Sequence, residues 1–163
     1  MGILTEDMQR VVREQSLGFV ATVCPDGTPN LSPKGTLTVW DDDHLVFADI
    51  RSPATLRNLR INPAVEINVV DPIARKGYRF KGTATVVDHG RLKDEVREFY
   101  SSRWIDTGNL RGELELRSFV LIKVEEALPL ISPAYDAPQT EDEVRAAWWK
   151  HYQGLQSKTS TPR

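Results

Sequence analysis

The residues best suited to chemistry lie at a predicted helix start in the first half of the chain. Ser52 occupies the capping position and Pro53 the first turn, where a missing N–H costs nothing. Such a start offers unpaired backbone N–H groups and the positive end of the helix dipole to an anion. Thr55, Arg57 and Asn58 follow within two turns and add a hydroxyl, a guanidinium and an amide. This combination predicts a phosphate-binding site for a cofactor beside the preceding strands.

The histidines and the cysteine predict no second kind of site. His44, His89 and His151 are far apart in sequence, and none has a Cys or Glu at ligand spacing, so no metal site is expected. Cys24 is the only cysteine, which excludes an intrachain disulfide, and it has no visible base nearby. No nucleophile elbow, Walker loop or dinucleotide motif occurs, so the catalytic residues stay unassigned.

The bulk composition is that of an ordinary soluble domain. The 163 residues are expected to form one core, and the net charge of −2 gives no sign of the broad basic surface that nucleic acid or anionic membrane would favour. No apolar run reaches the roughly 18–20 residues of a membrane span. The N-terminus, MGILTEDMQRVV, is amphipathic and unlike a signal peptide, so a cytoplasmic location is expected.

Apolar periodicity and turn residues predict the elements that position the phosphate site. The predicted strands cover residues 17–24, 31–40, 44–49, 64–71, 78–87 and 114–124. The predicted helices cover residues 4–15, 54–61 and 91–103, and a fourth begins at the capping box of Thr140 and Glu143. Six strands with short turns predict a β-dominated α+β fold, a six-stranded antiparallel barrel with flanking helices.

The predicted domain organisation has three parts. Residues 1–126 form the barrel with its N-terminal helix. Residues 127–153 hold an extended proline-rich segment and a helix that packs on the barrel or on a partner. Residues 154–163 are polar and are expected to be disordered.

Three stretches of the chain resemble the pyridoxamine-5′-phosphate-oxidase-like flavoproteins, which share the FMN-binding split barrel. They read CPDGTPNLSPKGT, FADIRSPATLRNLRINP and GYRFKGTATVV, and the likeness spans about residues 10–125. The true oxidases carry a basic Ser-Arg-Lys run where this chain has Ser52, Pro53 and Ala54, so the charge at the phosphate would come instead from Arg51 and Arg57, or from Lys34. The resemblance is therefore to the broad FMN-binding branch, and vitamin B6 phosphate is not the expected substrate.

The resemblance implies a homodimer with two FMN sites at the subunit interface and a small-molecule substrate. The strand from Ser32 to Thr36 would lie along the flavin ring and ribityl chain, and the helix start would hold the phosphate. The expected cofactor-binding residues are Ser32, Pro33, Lys34, Gly35, Thr36, Ala48, Asp49, Ser52, Thr55, Arg57, Asn58, Leu59, Arg79, Lys81 and Tyr135.

Several of these residues have a second interpretation. Gly35 marks either a strand kink needed for barrel curvature or a place where the flavin ring lies against the backbone. In the second case, Lys34 near N1 and O2 of the ring would stabilise the anionic reduced flavin. Arg79 and Lys81 are either solvated or reach the FMN of the partner. Tyr135 is an aromatic candidate for covering the ring.

The expected activity is redox: transfer of hydride or electrons between FMN and a small substrate or NAD(P)H. One alternative is a reductase of the same fold that uses a deazaflavin. Another is a non-catalytic flavin- or haem-binding protein acting in storage, sensing or haem handling. Haem would need an axial ligand, for which His44, His89 and Tyr135 are the candidates.

Overall fold

The computed structural model describes residues 2–104 and 116–159 of the chain. Its centre is one antiparallel sheet of seven strands, in the order β2-β1-β5-β6-β7-β4-β3. The strands are β1 Gly18–Val23, β2 Pro29–Lys34, β3 Thr38–Val39, β4 His44–Asp49, β5 Ala64–Asp71, β6 Lys76–Val87 and β7 Ser118–Ile131. The helices are α1 Glu6–Gln15, α2 Pro53–Ile61, α3 Gly90–Trp104 and α4 Glu141–Thr159, with a short 3₁₀ helix at Pro133–Asp136.

The strand count of six is wrong, because the predicted strand 31–40 is two strands. Lys34 at the end of β2 pairs with Gly18, whereas Thr38 in β3 pairs with Val46. The chain thus crosses from one edge of the sheet to the other within four residues. The curl of the sheet brings its two edges close enough for this crossing. Residues 35–37, between β2 and β3, belong to neither strand.

Strand β7 is longer than predicted. Its predicted first residues, 114 and 115, lie outside the described part of the chain, but it continues to Ile131 and includes Pro129. The extended proline-rich segment expected from residue 127 therefore begins inside this strand. Its pairing with β4 ends at Lys123, so Pro129 pairs only with Tyr78 of β6. Because one side of β7 is an edge there, the missing N–H of proline is tolerated.

In the described part of the chain, two apolar cores lie on opposite faces of the sheet. The larger is inside the curl, where α1 and α2 pack on residues that include Val20, Ile67 and Phe80. The smaller lies outside, where α3 packs Val96 and Tyr100 on the sheet. The rest of the outer face, formed by β2, β1, β5 and the adjoining parts of β6 and β7, has exposed apolar side chains that include Leu31 and Phe19.

Gly82 permits the close approach of β6 and β7. A Cβ atom there would lie 1.9 Å from the backbone oxygen of Lys123, at a register shift that follows Lys81. Only glycine fits such a contact, so the bulge depends on this residue.

The fourth helix begins at the predicted capping box. The Thr140 N–H donates to Glu143 Oε2 at 2.8 Å, and the Glu143 N–H donates to Thr140 Oγ1 at 3.3 Å. The helix continues to Thr159, so residues 154–159 are helical where a disordered tail is predicted. Gly154 alone costs a helix only about 1 kcal/mol, which does not end it. The remaining tail residues, 160–163, lie outside the described part of the chain.

Within residues 2–104 and 116–159, none of the helices has the length and apolar character needed to cross a membrane.

Candidate functional site

Lys34 is a buried cation that joins β2 to the start of α2. Its residue is only 3% exposed, and its Nζ donates to Ser32 Oγ at 2.5 Å and to Ser52 Oγ at 2.8 Å. The ammonium also lies 5.7 Å from the centre of the Phe47 ring. Because Ser32 and Lys34 alternate along β2, both side chains face the inside of the curl. The lysine is thereby held at the N-terminus of α2.

The N-terminus of α2 is positive and carries no side-chain cap. Ser52 is the N-cap residue, but its hydroxyl accepts from Lys34 and makes no capping hydrogen bond to the helix. Asp49 at the end of β4 accepts the Ser52 N–H at 2.8 Å and so fixes the turn that leads into the helix. The dipole and the ammonium together form an anion-binding environment.

Burial perturbs Lys34. Removal of the ammonium from water lowers the pKa of Lys34 below its ordinary value of 10.5, and the charge of Asp49 partly opposes this. An anion bound beside the buried ammonium would offset part of the free energy lost when the ammonium is removed from water. The site is therefore electrostatically suited to a phosphate.

Gly35 leaves the backbone open beside this lysine. A Cβ atom built there would meet no atom within 4 Å. In contrast to Gly82, nothing in the described fold requires the absence of a side chain at this position. The backbone of residue 35 is thus accessible to a flat ligand.

Thr36 and Ala48, both expected to contact the cofactor, bond to one another. Thr36 Oγ1 donates to the Ala48 backbone oxygen at 2.8 Å and accepts from its N–H at 3.0 Å. The Tyr100 hydroxyl of α3 donates to the backbone oxygen of Thr36 at 2.8 Å. Both predicted residues are buried, and their observed bonds secure the crossing between β2 and β3.

The predicted residues of α2 divide into two faces. Thr55, Asn58 and Leu59 are buried, with Asn58 at 0% exposure, whereas Arg57 is exposed. Asn58 Nδ2 donates to Thr22 Oγ1 at 3.1 Å, and its Oδ1 has no hydrogen-bond partner among the described residues. These buried side chains attach the helix to the sheet, and the guanidinium of Arg57 is left at the surface.

The remaining predicted residues lie elsewhere. Arg79 and Lys81 are on the outer face of β6, where Arg79 Nε is 3.1 Å and Lys81 Nζ 4.0 Å from carboxylate oxygens of Glu66. Pro33 is exposed on the outer face of β2. Tyr135 lies in the 3₁₀ helix, and its hydroxyl donates to the Ala74 backbone oxygen at 2.7 Å. A single described chain does not bring these residues to Lys34.

Sequence reasoning missed two polar residues of the site, Thr22 and Asn30. Asn30 Nδ2 donates to Thr22 Oγ1 at 3.1 Å, the same atom that accepts from Asn58. The signal was present in β2, since Asn30, Ser32 and Lys34 alternate with Leu31 and Pro33. A polar inner face on a strand next to a helix start indicates that the strand bonds to that helix.

A second polar cluster lies between α1, the β5–β6 turn and α4, around a cavity of about 250 Å³. Tyr78 donates to Asp7 Oδ2 at 2.5 Å, which lowers the pKa of Asp7 and raises the pKa of Tyr78 to about 12. The other charged residues of the cluster also pair among themselves through contacts of Lys76, Glu141 and Arg145. This cluster attaches α4 to the barrel. The described residues contain no group of three or more His, Cys, Asp or Glu able to hold a metal ion.

Comparisons with known proteins agree with this architecture. Residues 4–130 match the family model described as pyridoxamine 5′-phosphate oxidase. Over 131 residues the chain is 29% identical to the uncharacterized protein MJ0282 of Methanocaldococcus jannaschii, covering 79% of this chain and 82% of that protein. The crystal structure of tagged HupZ from Group A Streptococcus has a TM-score of 0.68 and 28% identity, covering 80% of this chain and 96% of that one. The crystal structure of an FMN-binding protein from Syntrophomonas wolfei subsp. wolfei has a TM-score of 0.62 and 17% identity, covering 77% of this chain and 85% of that one.

Proposed function

The chain belongs to the pyridoxamine 5′-phosphate oxidase family, and from that premise we propose that it binds FMN with the cofactor phosphate at the N-terminus of α2. The observation that carries this proposal is the buried ammonium of Lys34, hydrogen-bonded to Ser52 at an uncapped helix start. A buried charge is costly unless an opposite charge accompanies it. A phosphate dianion would supply that charge and accept hydrogen bonds from the N–H groups of the first turn.

The residues present fit the cofactor. Lys34, Ser32 and Ser52 would hold the phosphate end, with charge added by Arg51 just before the helix or by Arg57 on its surface. Gly35 leaves its backbone open to the flavin ring. Thr55, Asn58 and Leu59 support the helix from its buried face. The Syntrophomonas protein of the same fold is FMN-binding, which is consistent with this assignment.

The charge of the site distinguishes this chain from the true oxidases, as the sequence indicates. The helix start reads Ser52, Pro53 and Ala54 and has no basic residue of its own. Here the buried Lys34 of β2 would supply the positive charge from the other side. This supports membership of the broad FMN-binding branch, with a substrate other than vitamin B6 phosphate.

We propose that the activity is that of an oxidoreductase. When bound, FMN supplies the redox chemistry, exchanging hydride or electrons with a small substrate or NAD(P)H. The chain would bind and orient the cofactor, and Lys34 would place positive charge near it. A deazaflavin-dependent reductase is the alternative. A deazaflavin cofactor differs from FMN in its ring and its tail, but it would also need an anion site.

The proposed assembly is a homodimer that uses the uncovered outer face of the sheet. Leu31 is 65% and Phe19 44% exposed there, beside a shallow groove of about 420 Å³ lined in part by Glu66 and Lys81. A contiguous apolar surface rimmed by charges is typical of a protein interface. In such a dimer Arg79 and Lys81 would approach the FMN of the partner, which a single chain does not permit.

The test of the cofactor is an absorbance spectrum of the purified protein, with mass spectrometry of the molecule that heating releases. We expect flavin absorbance bands and the mass of FMN. A deazaflavin mass would favour the alternative reductase, and a Soret band would favour haem. A colourless protein that also fails to take up added FMN would contradict the proposed function.

A further inference from the structure

We propose that Thr22 is a positioning residue for the cofactor site, an inference that rests on the proposed function. Its side chain lies inside the curl of the sheet and is 3% exposed. Its hydroxyl accepts from Asn58 of α2 and from Asn30 of β2, each at 3.1 Å. One buried atom of β1 therefore bonds to the two elements that would hold the cofactor.

Among the described residues, α2 is tied to the β1–β2 hairpin at two points. One is Asn58, whose Nδ2 donates to Thr22 Oγ1 and, at 3.5 Å, to Cys24 Sγ. The second is the helix start, where Lys34 Nζ bridges Ser32 and Ser52. Asn58 is six residues beyond Ser52, or about 9 Å along the helix axis at 1.5 Å per residue. A helix held at one point can still pivot, whereas two ties fix both its distance and its direction. The Thr22 hydroxyl thus fixes the direction in which the N-terminus of α2 points.

Burial of these polar groups is not explained by stability alone. Asn58 is fully buried and keeps its Oδ1 without a hydrogen-bond partner among the described residues. An unsatisfied buried acceptor costs about 1–3 kcal/mol, and an apolar side chain of similar size avoids that cost. What Asn58 contributes that leucine cannot is its directed hydrogen bonding, at 3.1 Å to Thr22 Oγ1 and at 3.5 Å to Cys24 Sγ. The arrangement favours placement of the helix over stability of the fold.

The chain offers a matched pair of variants for the test. Thr22→Ser keeps the hydroxyl, and Thr22→Val keeps the shape but removes the acceptor of both amides. We expect Thr22→Val to raise the Kd for FMN at least about fivefold, or roughly 1 kcal/mol, whereas Thr22→Ser stays within about twofold of the parent. In the apoprotein, amide hydrogen exchange of α2 should accelerate in Thr22→Val and not in Thr22→Ser.

A double-mutant cycle separates positioning from a general loss of stability. Thr22 would act on the cofactor through the same interface that Lys34 occupies, so Thr22→Val and Lys34→Met should be non-additive in their effects on the Kd. Asn58→Leu should weaken FMN binding without lowering the melting temperature of the apoprotein.

Three results would overturn the inference: an unchanged Kd in Thr22→Val, strict additivity with Lys34→Met, or equal helix exchange in the valine and serine variants. If the parent itself fails to bind FMN, the proposed function fails and the positioning role falls with it. That outcome is recognised without any variant.

Discussion

Lys34 is expected to have two opposing effects on the molecule, because its buried ammonium costs stability and, in the proposed function, would supply the positive charge of an anion site. The serines that accept its hydrogen bonds, Ser32 and Ser52, are neutral, and Asp49 acts on it only through its charge. Sites of this kind exchange stability for function. The two effects can be measured separately in the apoprotein and in the FMN complex.

The pH dependence of stability should report on Lys34. Burial lowers its folded pKa below 10.5, so between that lowered value and 10.5 the unfolded chain binds a proton that the folded chain does not. The stability of the parent should therefore rise with pH across this window. Lys34→Met lacks this contribution. The contributions of the other titrating groups to the free energy of unfolding cancel when the variant is compared with the parent.

We expect the apoprotein of Lys34→Met to be more stable than the parent at neutral pH. The difference should shrink as the pH approaches 10.5. The measurement is the free energy of unfolding of both proteins in urea at several pH values. A difference that does not change with pH would show that burial does not penalise the lysine.

Gly35 and Gly82 should respond differently to the same substitution. Gly82→Ala drives a Cβ atom to within 1.9 Å of the Lys123 backbone oxygen, and we expect a loss of about 2 kcal/mol or more. Gly35→Ala meets open space, so the melting temperature should stay near that of the parent. If the ring lies against this backbone, Gly35→Ala should nevertheless weaken FMN binding severalfold.

Thermal melts of both apoproteins and fluorescence titrations with FMN check these expectations. An alanine at position 35 that leaves the Kd unchanged would mean that the flavin ring does not approach this backbone. An alanine at position 82 that leaves the melting temperature unchanged would contradict the observed strand contact.

At the residue scale, sequence reasoning found the helix start but not the way in which it is held. Ser52 and Lys34 are 18 positions apart, and their bond depends on the crossing between the two sheet edges. The roles of Thr22 and Asn30 arise from strand pairing across a hairpin. No local pattern specifies which hydroxyl a buried amide will reach.

The elements of the fold show which parts of a sequence prediction are robust. The alternating segments and the amphipathic helices are present in the structure, because burial of one face requires their periodicity. The crossing at residues 35–37 was missed because β2 and β3 form one continuous β-like stretch in sequence. Only the three-dimensional curl separates them into opposite edges, which local propensity does not encode.

Helix α4 should be the most easily released element. Among the described residues, its attachment to the barrel includes buried Val144, the pair of Arg145 with Asp71 at 3.0 Å and the pair of Glu141 with Lys76 at 2.9 Å. The Arg75 guanidinium also lies 4.1 Å from the centre of the Trp148 ring. We expect Arg145→Met to speed amide exchange in α4 by up to about fivefold, a loss of roughly 1 kcal/mol. The amides of β6 should keep their protection, because the barrel is unaffected.

The control is Arg97→Met, which removes a surface pair with Asp94 in α3 and should leave α4 unchanged. Hydrogen exchange with mass spectrometry measures both variants at one pH. Equal exchange in α4 of the parent and Arg145→Met would contradict this role of the arginine.

Acid should slightly weaken the attachment of the same helix. Hydrogen bonds from Lys76 and Arg145 lower the pKa of Glu141 below its ordinary 4.5. Because the folded pKa is depressed, this stabilisation is present above 4.5 and is lost as the pH falls through the folded value. The exposure of these side chains keeps the effect small.

At the scale of the whole molecule, the uncovered outer face of the sheet is the main unexplained surface of a single chain. Helix α3 covers one part of this face, whereas Leu31, Phe19 and Leu128 remain exposed on the other. The predicted cofactor residues Arg79 and Lys81 lie on the same uncovered part. A second copy would bury the apolar side chains and bring these cations towards its own site.

Leu31→Glu should therefore convert the proposed dimer into a monomer, because it places a carboxylate in an apolar interface. The side chain is 65% exposed in one chain, so the fold should tolerate the change. Ile61→Glu is a matched control, since Ile61 is 62% exposed but lies at the end of α2. Light scattering with size-exclusion chromatography gives the mass of each variant. A monomeric parent, or a dimeric Leu31→Glu, would contradict the use of this face.

The most direct test of the phosphate site is a comparison of FMN with riboflavin, which lacks the phosphate. Binding of both ligands is measured by flavin fluorescence in the parent and in Lys34→Met. Charge-assisted hydrogen bonds of about 1.5–3 kcal/mol each predict that the parent binds FMN at least about tenfold more tightly than riboflavin. In Lys34→Met the preference should narrow, with riboflavin affinity little changed. Equal affinity of the parent for the two ligands would contradict a phosphate site at the start of α2.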